Sequence, residues 1–124
     1  MPPILVWLFL TLSVVFTAVH NFAVTTSLYW YYSWFDIVMH LWGGALVSLG
    51  IVAFAKITSL SVRPGLGMIM PVLCLVMVAW EVFEYSISLY NPDTIISDVL
   101  RDVFFGFSGG LISYFLLRYF KILA

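Results

Sequence analysis

The chain has 124 residues, 64% of them hydrophobic and only 9% charged, with a mean hydropathy of +1.12. A water-soluble domain of this size has too little interior to hide so much apolar surface, so an integral membrane protein is expected. Five Lys and Arg against six Asp and Glu leave a net charge of -1, and no nucleic-acid partner is expected. The lone Cys74 supplies neither a disulfide nor a metal-ligand spacing.

A helix needs about 20 residues to cross a hydrocarbon core of about 30 Å. Four segments meet that length, at about 4–24, 36–56, 67–89 and 98–119. The fold class expected is therefore all-α, a single polytopic membrane domain over residues 1–124 built as a compact bundle of four transmembrane helices. The first segment lacks a basic stretch ahead of its apolar run and reads as a retained helix, with cleavage near Ala18 as the alternative. Residues 25–35 carry Tyr29, Trp30, Tyr31, Tyr32 and Trp34, the composition of an aromatic belt at the membrane–water interface. Arg63-Pro64-Gly65 marks a turn before the third segment, and Asn91-Pro92-Asp93 marks a stop after it, with Thr94 or Ser97 as candidate caps for the fourth.

The charges separate by side. Lys56 and Arg63 fall in one loop, and Arg118 and Lys121 at the C-terminus, which an even number of spans places together. The positive-inside rule makes that side cytoplasmic, so a multi-pass protein of the cell membrane with both termini cytoplasmic is expected. All six acidic residues, Asp36, Glu81, Glu84, Asp93, Asp98 and Asp102, lie toward the other side, with Arg101 among them.

Counting helical rise from the inner ends places these groups at one depth. Asp36 and Asp98 sit at the outer edge, and His40, Asp102 and His20 or Asn21 about one turn deeper. Glu81 and Glu84 fall in the outer third of the third span. The pairs Asp36/His40, Glu81/Glu84 and Asp98/Asp102 are spaced i,i+4, i,i+3 and i,i+4, so each occupies one helical face. Gly43 and Gly44 continue the first of these faces, and Gly106 with Gly109 or Gly110 the last, where a neighbouring helix can approach closely. Ser13, Thr17 and His20 make a polar stripe on the first helix. The Asp-x-x-x-His and Asp-x-x-x-Asp openings, each followed by glycines, also form a faint internal repeat.

Charged groups inside a lipid span are costly and mark function by default. Converging carboxylates cannot all ionise unaided, and either protons or a bound cation relieve them. Carboxylates joined by one or two imidazoles suit Mg, Mn, Fe or Zn, and bundles build metal centres from such inward residues. The expected metal ligands are Asp36, His40, Glu81, Glu84, Asp98 and Asp102, on a divalent ion whose identity the residues do not resolve. Near the headgroups such an ion polarises a phosphoryl or carbonyl oxygen or activates water. The substrate implied is a lipid or lipid-linked amphiphile entering sideways. Glu84 or Asp102 is the candidate general base, and Arg101 a candidate phosphate ligand.

Two readings stand beside this metal-dependent hydrolase or transferase. The first is a non-catalytic membrane subunit or scaffold whose polar network holds helices, a second copy or a membrane partner together. The second is a proton or cation transporter, which the lack of acidic residues in the inner half of any span disfavours. Arg101 reads equally as a headgroup anchor that snorkels outward, and His20 as a helix-end polar contact.

Phe35-Asp36-x-x-x-His40-x-x-Gly43-Gly44, Trp80-Glu81-x-x-Glu84-Tyr85 and Asp98-x-x-x-Asp102-x-x-x-Gly106 together resemble the VanZ-like superfamily of small membrane proteins. The chain looks closest to the YjdF-like branch, with the resemblance covering roughly residues 35–110. VanZ-like members proper more often have Gln at the place of Glu84 and Asn at that of Asp102, and this chain keeps acids at both. The resemblance implies a polytopic helical fold with Asp36, His40, Glu81, Glu84, Asp98 and Asp102 as the site, and implies no particular reaction.

Overall fold

The computed structural model describes residues 3–59, 61, 63–87 and 92–122. These form five helices: α1 (Ile4–Thr25), α2 (Leu28–Tyr31), α3 (Ser33–Ile57), α4 (Leu66–Ser86) and α5 (Ile95–Tyr119). Among them α1, α3 and α4 are long and apolar enough to cross a membrane. The fourth long helix, α5, has 25 residues, about 37 Å of rise, and carries Asp98, Arg101 and Asp102 in its first two turns. Large apolar side chains such as Leu75, Val82, Leu100, Phe104 and Ile112 are exposed around the outside. Such a surface is an aggregation liability in water and suits a lipid environment.

Helix starts lie earlier than the charges suggest. Ser33, Trp34 and Phe35 precede Asp36 within α3, and Ile95 to Ser97 precede Asp98 within α5, because aromatic and small polar residues at an interface do not break a helix. Asp36 and Asp98 consequently lie in first turns, and Lys56 and Arg118 in last turns, each favourably placed on the helix dipole. Thr94 stands at the N-cap of α5 but makes no capping bond; its hydroxyl donates to Asp98 Oδ2 at 2.7 Å. The end expected for the third span at residue 89, and Asn91 of the expected stop, lie outside the described residues. The aromatic segment is not simply a connecting loop: Ser27 takes the left-handed conformation (φ 60°), and α2 forms a single turn before Tyr32 returns to extended backbone.

Helices α3 and α5 are the central pair, α4 packs on both, and α1 packs on α3. Two glycines allow the central contact. A Cβ on Gly44 would collide with the Gly106 carbonyl, and one on Gly109 with the Leu41 carbonyl. Backbone therefore meets backbone, the close approach that small residues permit in membrane helices. Ser48, fully buried, donates to the Gly110 carbonyl at 2.7 Å and ties the same two helices. Met77 of α4 fills the notch at Gly106, and Leu73 that at Gly110. Gly43 faces Phe16 of α1 with ordinary contact distances, so it is not part of the α3–α5 seam. The helices with the faint internal repeat are thus the two that pack most closely.

The first helix departs from its expected role. His20 is buried, but Thr17 and Asn21 are exposed, and the Thr17 hydroxyl donates to the Ser13 carbonyl one turn back. Thr17 is thus satisfied along its own helix. Apolar packing supplies the α1 contact instead, through Leu5 and Val6 against Leu49, Val52 and Ala53.

Candidate metal centre

His40 lies two turns inside the N-terminus of α3, facing Glu84 of α4 and Asp102 of α5. Its side chain is 4% exposed. Nε2 looks at one carboxylate oxygen from each of three residues on three helices: Asp36 Oδ1 at 3.4 Å, Asp102 Oδ2 at 3.6 Å and Glu84 Oε1 at 4.0 Å. This buried nitrogen has no hydrogen-bond partner among the described residues. An unpaired buried polar atom is costly, so the site calls for a cation, a proton-mediated contact or a water between these groups.

The separations suit an ion. Ligands held at about 2.0–2.2 Å from a common metal lie about 3–4 Å from one another. His40, Glu81, Glu84 and Asp102 each offer a donor atom, and all four atoms lie within 4.8 Å of one another. These four residues can hold a metal ion. Asp36 and Asp98 do not join that group. Asp36 lies alongside His40 at the outer rim, and Asp98 stands between Thr94 and the far side of Arg101.

Arg101 explains the difference. Its Nη2 donates to Asp36 Oδ2 at 2.9 Å, its Nε and Nη2 reach Asp102 Oδ1 at 3.3 Å, and its Nη1 stands 3.8 Å from Asp98 Oδ1. It neither snorkels outward nor points its donors at an empty phosphate site, because three carboxylates surround it. For Asp36 and Asp102 one oxygen faces Arg101 and the other faces His40. Arg101 thereby orients both aspartates from behind, the arrangement that outer partners give metal ligands.

Trp80 plays the corresponding part for Glu84. One turn before it on α4, the indole Nε1 donates to Glu84 Oε1 at 2.8 Å. The Trp80 ring also packs edge-on against His20 (5.2 Å between centroids) and Phe16 (6.2 Å), joining α4 to α1 above the site. The only trace of this role in the sequence is the i,i+4 spacing of Trp80 and Glu84, which puts them on one face. Replacing Trp80 by Phe keeps the ring and removes the donor. It is expected to cost about 1.5–3 kcal/mol of stability, as a bond to a charged acceptor does, and to weaken metal affinity about 10–100-fold. Thermal unfolding and metal titration of the variant in detergent check both.

Tyr29 is the other residue the sequence placed differently. Trp30, Tyr31, Tyr32 and Trp34 are exposed as a belt requires, but Tyr29 turns inward and shares a 2.7 Å hydrogen bond with His20 Nδ1. Burial, reinforced by the nearby Asp36 and Glu84 carboxylates, holds its phenol above the ordinary value, so the hydroxyl stays protonated. His20 is thus a polar contact of the aromatic layer and lies outside the donor group.

Two cavities meet at Glu84. A polar one of about 190 Å³ opens outward among Ser33, Asp36, Thr94, Asp98 and Arg101. An apolar one of about 210 Å³ lies beneath, between Phe16, Gly43, Leu46, Val76 and Met77, with His40 at its edge. Tyr29 and Glu84 are walls of both.

Fold and site together define a helical, membrane-compatible protein with a buried His–carboxylate cluster at one end. No protein family model, no curated protein and no solved structure matches the chain.

Proposed function

We propose that the chain is a four-span membrane protein, termini cytoplasmic, whose outer end holds a divalent metal ion and acts on a lipid or lipid-linked substrate. The observation that carries this is His40 Nε2, buried, unpartnered among the described residues and faced by oxygens of Asp36, Glu84 and Asp102. Five carboxylates gather around one imidazole and one guanidinium, an excess of negative charge that a divalent cation offsets in part. His40, Glu81, Glu84 and Asp102 are the proposed ligands, with Asp36 at the rim and Asp98 as a partner of Arg101. A mixed nitrogen and oxygen set of this kind suits Zn, Mn or Fe better than Mg.

The ion, when bound, supplies a Lewis acid for a phosphoryl or carbonyl oxygen. Glu84 stands between the polar and apolar cavities, where it can take a proton from a nucleophile arriving from the outer side. Asp102, oriented by Arg101, is the second candidate base. The reaction class this supports is hydrolysis or group transfer at a lipid headgroup. Membership of the VanZ-like superfamily, near its YjdF-like branch, is part of the same proposal and rests on the three motif segments.

Elemental analysis of purified protein is expected to find one transition metal per chain. EDTA is expected to lower the unfolding temperature by several degrees, since any ligand bound only to the folded state stabilises it by mass action. Protein without metal, and indifferent to EDTA, contradicts the proposal. The scaffold reading then gains, because the same network of Arg101, Asp36, Asp98 and Asp102 also ties α3 to α5.

A further inference from the structure

The apolar cavity below Glu84 does not end there. Phe16, Leu46 and Val76 are also walls of a larger trough of about 610 Å³ that runs on between α1 and α4 over the face of α3. The backbones of α1 and α4 stay apart along it among the described residues, and Trp80 against Phe16 and His20 bridges them at the outer end. Taken with the smaller cavity, which His40 and Gly43 line, its floor on α3 continues through Leu46 and Gly50 to Phe54. Fourteen residues of helical rise make that about 21 Å, more than the roughly 15 Å of one leaflet's share of the hydrocarbon core.

From the outer end inward come a polar cavity, an apolar one edged by His40 and Glu84, and a longer trough, apolar except for Ser13 and Thr17. That sequence of polarities matches one kind of molecule, an amphiphile with a small polar head and one long chain. Were a divalent ion held by His40, Glu81, Glu84 and Asp102, it would offset the repulsion that the bare carboxylates exert on an anionic head. We propose that the trough seats a single hydrocarbon chain of a phosphate-headed lipid, holding its phosphate at His40 and Glu84. This rests on the reading of the His40 cluster as a metal site. It adds the substrate class, the chain's path and lateral entry between α1 and α4. Two lipids share the chemistry: a phospholipid, through one acyl chain, and a polyprenyl phosphate, whose longer chain better fills a trough that passes the midplane.

Photolabelling in phosphatidylcholine vesicles tests it, with a polyprenyl phosphate and a phosphatidylglycerol each carrying a diazirine at the chain end. Label is expected on Ile51 or Ala55, the half-buried residues toward the far end of the trough. The lipid that labels there more strongly identifies the source. Val76→Trp fills the smaller cavity and Val72→Trp the trough below it; each is expected to cut that labelling about tenfold or more, as filling an apolar pocket does. Leu75→Trp, on the exposed face of α4, is expected to leave it unchanged. Label spread over exposed residues such as Leu75 and Val78 with no preference for the trough overturns the proposal. So does wild-type labelling in folded Val76→Trp and Val72→Trp. Metal is measured in the same samples. Trough labelling in metal-free wild-type protein contradicts the metal reading alone, and full metal content with no trough labelling contradicts the chain alone.

Discussion

His40→Ala is expected to empty the metal site and leave the fold standing. The imidazole is the one nitrogen donor in a group otherwise made of carboxylates, and its Nε2 has no other partner among the described residues. Removing it leaves Glu81, Glu84 and Asp102, a harder and weaker set for a transition metal. Affinity is expected to fall by more than the roughly 10–100-fold seen when an outer partner is lost. The stabilisation that EDTA removes from the wild type is expected to be already absent in the variant. A structural role for His40 predicts the reverse: a fall in unfolding temperature of the same size with and without EDTA. Metal analysis and thermal unfolding, each with and without chelator, separate the two.

The second large effect is expected at the α3–α5 seam. Gly44→Ala and Gly109→Ala each add one carbon, yet each carbon meets a carbonyl of the opposite helix, which no rotamer change relieves. The helices must separate. That costs about 1–3 kcal/mol for overpacking, and more once the Ser48 bond to the Gly110 carbonyl lengthens with it. Asp102 moves away from His40 as the seam opens, so metal affinity is expected to fall in the same variants. Gly43→Ala, one residue away, meets only the Phe16 ring at 3.7 Å and is expected to be neutral or slightly stabilising. Equal behaviour of Gly43→Ala and Gly44→Ala contradicts this packing.

Much of the site is legible in the sequence because helical rise and period are fixed quantities. Asp36/His40, Glu81/Glu84 and Asp98/Asp102 each share a face whatever the tertiary structure, and counting from Lys56 and Arg118 gives their depth without knowledge of packing. The structure brings His40, Glu81, Glu84 and Asp102 into one group with Asp36 beside it. Which carboxylates face His40 and which face Arg101 was not legible. Arg101 can reach outward or inward with the same backbone, and three carboxylates on two helices decide the matter. Tyr29 is hidden for a similar reason: within a run of interface aromatics only the left-handed turn at Ser27 determines which ring points in. Thr17 shows the opposite limit, a residue that shares the His20 stripe by spacing yet bonds its own helix and stays outside the donor group. The glycine pattern predicted a close helix pair, but not that Gly44 would be at the seam and Gly43 outside it.

X-ray absorption at the metal edge of the purified protein in lipid reads directly what surrounds a metal at His40. Oxygen donors with one imidazole nitrogen and no sulfur are expected, with loss of the imidazole signal in His40→Ala. A metal-bearing protein whose shell contains no imidazole, or a shell unchanged by His40→Ala, contradicts a metal site at His40.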